Sequence, residues 1–527
     1  MAWLLLKAAM MKTGIFPLLL WMAISIGRAG DWFVSTNGSP SGNGSLTHPW
    51  DLQTAYYNAQ AGDTVWLRNG TYEPPGNSTN QPWSGSLFYY PGWYIANSGT
   101  ATSLITIRSY TNEWAAIDGR TLFNSYIRFR DLEFFNSMKG IRHDTNDLGY
   151  ATDMELPYGD FNSGGHSNQW INCVLHDEEA GPDDAGGSIV RGCILWYIGW
   201  NQHQHVWYPM VAEASGNIVA WPLNRTMNNT IASFVCNSNI IFGSGLQTPN
   251  AGTNGISYPE VSTDLAPSGN QGSMIGNVII SSAGSMCGSV ASGSVLCNNL
   301  FCAKGTALII GLSPNCSVVS NTIYTLNQGG IVAYMNGAVT NTTVDYNSYY
   351  ATNNNLNNPG VVFLNSAQGY AGFNLGAWRT NTGYDFHSAA AVTSPPDTVR
   401  VMINADQPKR CHIAVCNWSL QSNVTVSLAG VLNVGDSYKL YSAQNYLAGP
   451  IQTGTYNGTN IVVPMTNLTT APMIYGRNKN DTGEVEQQPP PMSPQFGAFV
   501  LIGQPGIVTG IAAPPSPPQG LTVSSVY

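Results

Sequence analysis

Three stretches of the chain gather side chains able to move protons, hold charge or stack on a ring. Lys139 to His166 carries Arg142, His143, Asp144, Asp147, Asp153, Glu155, Asp160 and His166. Trp196 to Gly216 carries Trp196, Tyr197, Trp200, His203, His205, Trp207 and Tyr208. Gly243 to Gly272 is rich in Gly and Ser, with only Glu260 and Asp264 charged. Beside the first two lies His176-Asp177-Glu178-Glu179. An imidazole exchanges protons near neutral pH and a guanidinium can neutralise a developing anion, while indole and phenol rings offer flat faces to the C–H side of a sugar. Together these groups suit a saccharide cleft. The catalytic candidates are Arg142, His143, Asp144, His176, Asp177 and His205, and the substrate-stacking candidates are Trp196, Trp200, Trp207 and Tyr208. The competing reading is that these rings simply pack long loops onto the body of the protein.

Metal ligation is the weaker part of this inventory. His203-x-His205 would set two imidazoles on one strand face, but no third ligand stands at a recognisable spacing. Asp177, Glu178 and Glu179 could offer oxygens to calcium, the one cofactor suggested, although three consecutive acids more often form a solvated turn.

The elements that must carry these residues follow from an internal repeat. A polar residue followed by apolar and β-branched residues recurs as Asp131-Leu-Glu-Phe-Phe, Asn172-Cys-Val-Leu, Gly192-Cys-Ile-Leu, Asn217-Ile-Val-Ala and Asn239-Ile-Ile-Phe. It continues as Asn277-Val-Ile-Ile, Asn299-Leu-Phe-Cys, Asn321-Thr-Ile-Tyr and Asn347-Ser-Tyr-Tyr. The spacings are 41, 20, 25, 22, 38, 22, 22 and 26 residues, near one value apart from the longer insertions. Short strands at this period bury an apolar face only by stacking coil on coil in parallel sheets. Asn suits the corners of such coils because it tolerates left-handed backbone and can bond along a stack of its own kind. Stacking would also bring Cys173 beside Cys193, as a buried thiol pair or a disulfide. The strands are structural, so function is expected on the inserted loops.

Composition narrows the classes further. Residues 1–30 read as a secretory signal, with Lys7 and Lys12, an apolar run from Ile15 to Ile26, and the small residues Ala29-Gly30. Without that segment 17 basic residues face 29 acidic ones, a net charge of −12. Such a balance opposes nucleic-acid binding. The apolar run is too short for a membrane span, so none is expected in the mature chain. Nine scattered cysteines form no zinc pattern and read mainly as small buried hydrophobes.

Residues 32–72, from Trp32-Phe-Val-Ser-Thr-Asn-Gly through His48-Pro-Trp to Ala61-Gly-Asp-Thr-Val and Asn69-Gly-Thr-Tyr, resemble the opening of pectate-lyase-like right-handed β-helix proteins. Leu104-Ile-Thr-Ile-Arg-Ser-Tyr and Ala116-Ile-Asp-Gly match the second coil of that superfamily. The resemblance spans about residues 32–360 and implies a short capping helix near Leu52 to Gln60. It is specific for fold and weak for activity, because the superfamily hosts lyases, hydrolases, epimerases and non-catalytic adhesins. For a lyase, Arg142 or Arg191 could supply the cation and His143, His176 or His205 the base. The Arg-x-Pro-x-x-Arg signature of pectate lyases is missing. Asp183-Asp184 is similar to the paired aspartates of polygalacturonases, whose other elements are absent.

The expected organisation is a signal peptide (1–30), a right-handed parallel β-helix (31–388), a linker (389–397), a smaller β-sandwich (398–503) and a Pro-rich tail (504–527). The tail resembles the approach to a fibronectin type III domain and reads either as truncated before one or as a loose end. The class is all-β. The function expected is that of a secreted, extracellular or cell-surface monomer acting on a polysaccharide, as a lyase or a glycoside hydrolase. The alternative is a non-catalytic adhesive rod that binds glycans.

Overall fold

The structure is a computed structural model that describes residues 29–74, 92–135, 137, 165–178, 181–182, 186–198, 205–207, 211–222, 225–227, 234–244, 261–262, 272–281, 285–289, 292–303, 307–326, 332–334, 339–352, 363–365, 371–473 and 488–505. The candidates Arg142, His143, Asp144, Glu179, Trp200, His203 and Tyr208 lie outside the described residues, as do Asp183 and Asp184. So do residues 1–28 and 506–527, which hold most of the expected signal and tail.

The repeat winds into a right-handed parallel β-helix. Its first sheet has 12 strands, running from Asp31–Val34 to Thr343–Asp345, and its second also has 12, from Gly70–Tyr72 to Ala389–Ala391. A third sheet of six strands, from Val261–Ser262 to Ala371–Phe373, closes the later coils. Ala389–Ala391 lies within the stretch read as a linker, yet pairs in register with Ser348–Tyr350. Side chains pointing inward fill the coil. Phe123, Phe129, Phe134 and Trp170 pack ring against ring, with centroids 5.3 to 5.7 Å apart. A helix at Leu52–Asn58 covers the open N-terminal end, its first turn capped by Asp51, which accepts from Thr54 N at 2.7 Å. A second helix, Leu375–Thr382, covers the other end.

The corner between the first and second sheets takes two residues in coil after coil, and its polar groups are satisfied from inside. Asn217, Asn239, Asn277, Asn299, Asn321 and Asn347 are buried and stacked. Each Nδ2 donates to the next Oδ1, at 3.0, 3.0, 2.9, 2.9 and 3.1 Å in turn. Each Oδ1 also accepts the preceding asparagine's backbone N–H, as Asn277 accepts from Asn239 N at 2.9 Å. The ladder ends at Asn347, whose Nδ2 donates to the buried Asp385 carboxylate (3.2 Å). Tyr349, Trp378 and Ser388 donate to the same carboxylate.

The corner role expected of asparagine is thus split. The left-handed residue in these coils is the one before, such as Ser238, Gly276, Asn298 and Ser320. In the earlier coils Asp131, Asn172 and Gly192 themselves take the left-handed conformation, and the inward positions go to Leu132, Cys173 and Cys193. Both cysteines are free buried thiols.

Beyond the coils a five-stranded antiparallel sheet runs in the order Thr398–Ile403, Arg410–Cys416, Phe496–Gln504, Ser437–Ser442, Gln452–Thr455. One face packs on the two-stranded sheet of Asn423–Val426 and Ile461–Pro464 through Ile413, Val415, Phe499 and Val463. The other face packs on the outside of the helix's second sheet. There Ala414, Cys416, Phe496 and Val500 meet Ile218, Ile240, Phe242 and Leu300. Polar contacts hold one margin of this interface: Asn404 Nδ2 donates to Asn172 Oδ1 (2.7 Å), Arg130 to the Asp406 carbonyl (2.7 Å), and Arg191 pairs with the Asp406 carboxylate (3.1 Å). The C-terminal unit is a smaller β domain docked along the coils.

The ladder and the corner make opposite predictions one residue apart. Asn277→Ala would strip partners from Asn239 N, Asn239 Nδ2, Cys236 O and Asn299 Oδ1. A loss on the order of 3 kcal/mol is expected, read as a lower urea midpoint. Asn298→Gly, at φ 55, should leave the midpoint unchanged to within about 0.5 kcal/mol.

Candidate functional site

Two of the described candidates, His176 and Trp196, sit on the outer face of the second sheet in consecutive coils. Glu133–Phe135, Val174–His176 and Ile194–Trp196 pair so that Phe135, His176 and Trp196 fall in one row. In-register stacking presses the three rings together. His176 lies 5.4 Å from Phe135 and 4.5 Å from Trp196, with interplanar angles of 5° and 7°. The middle residues of these strands, Phe134, Leu175 and Leu195, point into the core.

Both nitrogens of the sandwiched imidazole are engaged. Nδ1 lies 2.7 Å from Asp177 Oδ2 and Nε2 3.1 Å from Glu133 Oε1. Asp177 follows the strand at φ 53, a left-handed turn that folds its carboxylate back onto the ring. Glu133 is held in turn by Trp114, whose indole N–H donates to Oε2, and Trp114 contacts Tyr446 of the C-terminal domain, centroids 6.2 Å apart. Burial works against a charge on His176, but the hydrogen bonds from Asp177 and Glu133 outweigh it and the pKa rises above 6.5. Nearby, burial and the Asp177 charge raise the Tyr197 phenol, whose O–H donates to the Ala471 carbonyl at 2.7 Å.

This arrangement is a buried ion-paired spine. A general base needs a lone pair directed at a substrate proton, and His176 has neither a free nitrogen nor exposure to solvent. His176 and Asp177 therefore change role, from catalytic candidates to groups that hold one another. The stacking candidates change likewise. Trp196 is buried beneath the docked domain, and Trp207 is buried in the core of the coil. His205 opens the strand His205–Trp207, its side chain being outside the described set. Arg191 is claimed by Glu213 (3.0 Å) and Asp406.

Of the three acids weighed as calcium ligands, Asp177 turns Oδ2 onto His176 Nδ1 (2.7 Å) and Glu178 is buried. Among the described residues no three His, Cys, Asp or Glu side chains converge on a metal position. The partner that sequence reasoning missed is Glu133, which lies 43 residues from His176. Its signal was the repeat frame, since Glu133-Phe134-Phe135 aligns with Val174-Leu175-His176.

The insertions have a direction of their own. From Arg130 onward the chain turns between first and second sheets in two residues, whereas from second-sheet strands back to the first it runs through 136–168, 177–187 and 197–210. Every long stretch that bears chemistry therefore leaves from the same side of the coil.

His176 gives a measurable consequence. Its folded pKa lies above the unfolded one, so the stability it contributes is complete below pH 6.5 and is lost as pH rises through the folded value. The His176 ring proton should titrate by NMR with a midpoint above 6.5, falling in Glu133→Gln. A wild-type midpoint below the usual value would refute the ion-paired spine.

Residues 32–189 match the family model described as the Pel9A-like right-handed β-helix region. A pectate lyase, PEL9 of Emericella nidulans, is 31% identical over 159 residues, which are 29% of this chain and 33% of that protein. The chain thus spans about a third of the length of that curated relative. Among solved structures, a mannuronic acid specific polysaccharide family 6 lyase from human gut microbiota is 13% identical, with a TM-score of 0.37 over 61% of this chain and 74% of that one. Pectate lyase Pel9A is 11% identical, with a TM-score of 0.26 over 62% of this chain and 75% of that one. The chain is a right-handed parallel β-helix, similar over residues 32–189 to the Pel9A-like β-helix region, with a smaller β domain docked against its second sheet.

Proposed function

We propose that this protein is a secreted polysaccharide lyase that cleaves an extracellular, uronate-containing polymer by β-elimination. The observation that carries the reading is the match of residues 32–189 to the Pel9A-like region, together with 31% identity to a pectate lyase over 159 residues. In such a reaction a base takes the proton on C5 beside the carboxylate. A cation steadies the anion formed there, and the C4–O4 bond breaks to leave a C4=C5 double bond, the departing oxygen taking a proton from water to become a free hydroxyl. Arg142, His143 and Asp144, in the insertion between Phe135 and Gln169, are the residues of this chain assigned to that chemistry. In this assignment His143 is the base and Arg142 the cation. His176 is assigned no part in it, since its nitrogens are already committed.

The occupied state of His176, Asp177, Trp196 and Trp207 favours a second reading, a glycan-binding rod without catalysis. One experiment separates the two. The chain lacking residues 1–30 is incubated with polygalacturonate, alginate and xylan, with and without added calcium, and followed by ultraviolet absorbance and reducing-end release. Absorbing products on a uronate polymer are expected, with a loss of 10²-fold or more in His143→Ala and Arg142→Ala. Reducing ends without absorbance would mean hydrolysis. No product on any polymer would leave the rod.

A further inference from the structure

At the C-terminal end of the coils the corner between first and second sheets carries an exposed aromatic stack. Tyr346 has φ 57, the left-handed conformation that Gly276, Asn298 and Ser320 adopt in preceding coils. A bulky residue is strained in that conformation. Burial does not offset this, because Tyr346 is 59% exposed.

His387 sits in register on the next rung. Asn347 N donates to Ser388 Oγ at 2.8 Å, and Ser348 pairs with Ala389. The Tyr346 and His387 rings stack at 4.9 Å and 8°. Asp345 fixes the pair: Oδ1 accepts from Tyr346 N (2.8 Å) and His387 N (2.6 Å), and Oδ2 lies 2.7 Å from His387 Nδ1. Burial raises the Asp345 carboxyl, but the His387 hydrogen bonds prevail and hold it below the usual range. The His387 side chain is 57% exposed. Phe386, 71% exposed, stands at 70° to the imidazole with centroids 5.6 Å apart.

The opposite face of Tyr346 looks toward the previous rung, where the register places the short, exposed Ser320. One rung further stands Asn298, whose carbonyl accepts from Arg400. Two rungs span roughly 9–10 Å, enough for one saturated ring lying on Tyr346 at the level of Ser320. The slot has an apolar floor and a polar rim. Its floor suits the C–H face of a pyranose, and the Ser320 hydroxyl and His387 Nε2 suit sugar hydroxyls, as does Asn298 Nδ2, the Oδ1 of that amide lying 3.5 Å from Arg400.

We propose that this slot is a saccharide-binding subsite that seats one pyranose ring of a polysaccharide on the free face of Tyr346, apart from the inserted loops. It extends the polysaccharide reading above but does not require cleavage. The test is affinity electrophoresis of the full chain through gels containing polygalacturonate, alginate or xylan. Tyr346→Asn and Phe386→Ala are compared with Val434→Ala, an exposed apolar residue of the C-terminal domain. Retardation of the wild type by at least one polymer is expected, weakened tenfold or more in Tyr346→Asn. The melting temperature of that variant should be unchanged or higher, because asparagine relieves the corner. Val434→Ala should bind like the wild type. Three outcomes would overturn the subsite: no retention of the wild type by any polymer, equal retention of Tyr346→Asn, or an effect of Tyr346→Asn only on self-association in sedimentation. Turnover of short oligosaccharides keeps the two proposals apart. Retention without absorbing products would defeat the lyase and spare the subsite, and absorbing products with unaltered Tyr346→Asn binding would do the reverse.

Discussion

A coil that turns in two residues must bury polar backbone at every corner, and here a stack of asparagine amides satisfies it. Each side chain donates to the next amide and to a carbonyl of the preceding first-sheet strand, as Asn277 does to Asn299 and Cys236. Each therefore holds the corner closed and sets the rung below in register. The constraint fixes where length can vary. A residue added at a corner between Asn217 and Asn347 would break the ladder, so in those coils insertions are confined to the path from the second sheet back to the first.

The same geometry decides what happens to the outer faces. Rungs in register place like positions in rows, and the second sheet's outer row is apolar from Ile218 to Leu300. The C-terminal sheet covers it, which makes Arg410–Cys416 a strand buried on both faces. His412, on the side turned to the helix, is kept neutral: burial, then the neighbouring Arg410 charge, push its pKa down to about 3. The domain is thereby part of the wall, and the aromatic rings of the second sheet are withdrawn from solvent by it.

The fold was largely legible because the asparagine period is local and repeats. Its phase was less so, since Asn172 and Asn217 look alike in sequence while one is a left-handed corner and the other an inward rung. The 25-residue step from Gly192 to Asn217 contains that one-residue slip. The site was poorly legible for a different reason. His176 next to Asp177 reads as a catalytic pair when the third member, Glu133, and the covering Trp196 and Tyr446 are supplied by other coils and another domain. An Arg-Cys-His-Ile-Ala-Val-Cys strand without polar alternation was the available sign that something covers both its faces.

Two stacked pairs built on one rule end in opposite chemical states. His176 and Trp196 stack at 4.5 Å, His387 and Tyr346 at 4.9 Å, each histidine in register with an aromatic residue and bonded through Nδ1 to an aspartate. Under the docked domain the imidazole loses water, and a second carboxylate is recruited to hold its charge. Among the described residues none covers the open end, where the His387 side chain is largely exposed, so the flat face and the polar edge remain available. Stacking in register explains why the rings align; only the cover decides whether they serve the fold or a ligand. A ring kept in water at a corner that disfavours it has no structural return, and that imbalance sets Tyr346 apart from the buried rows.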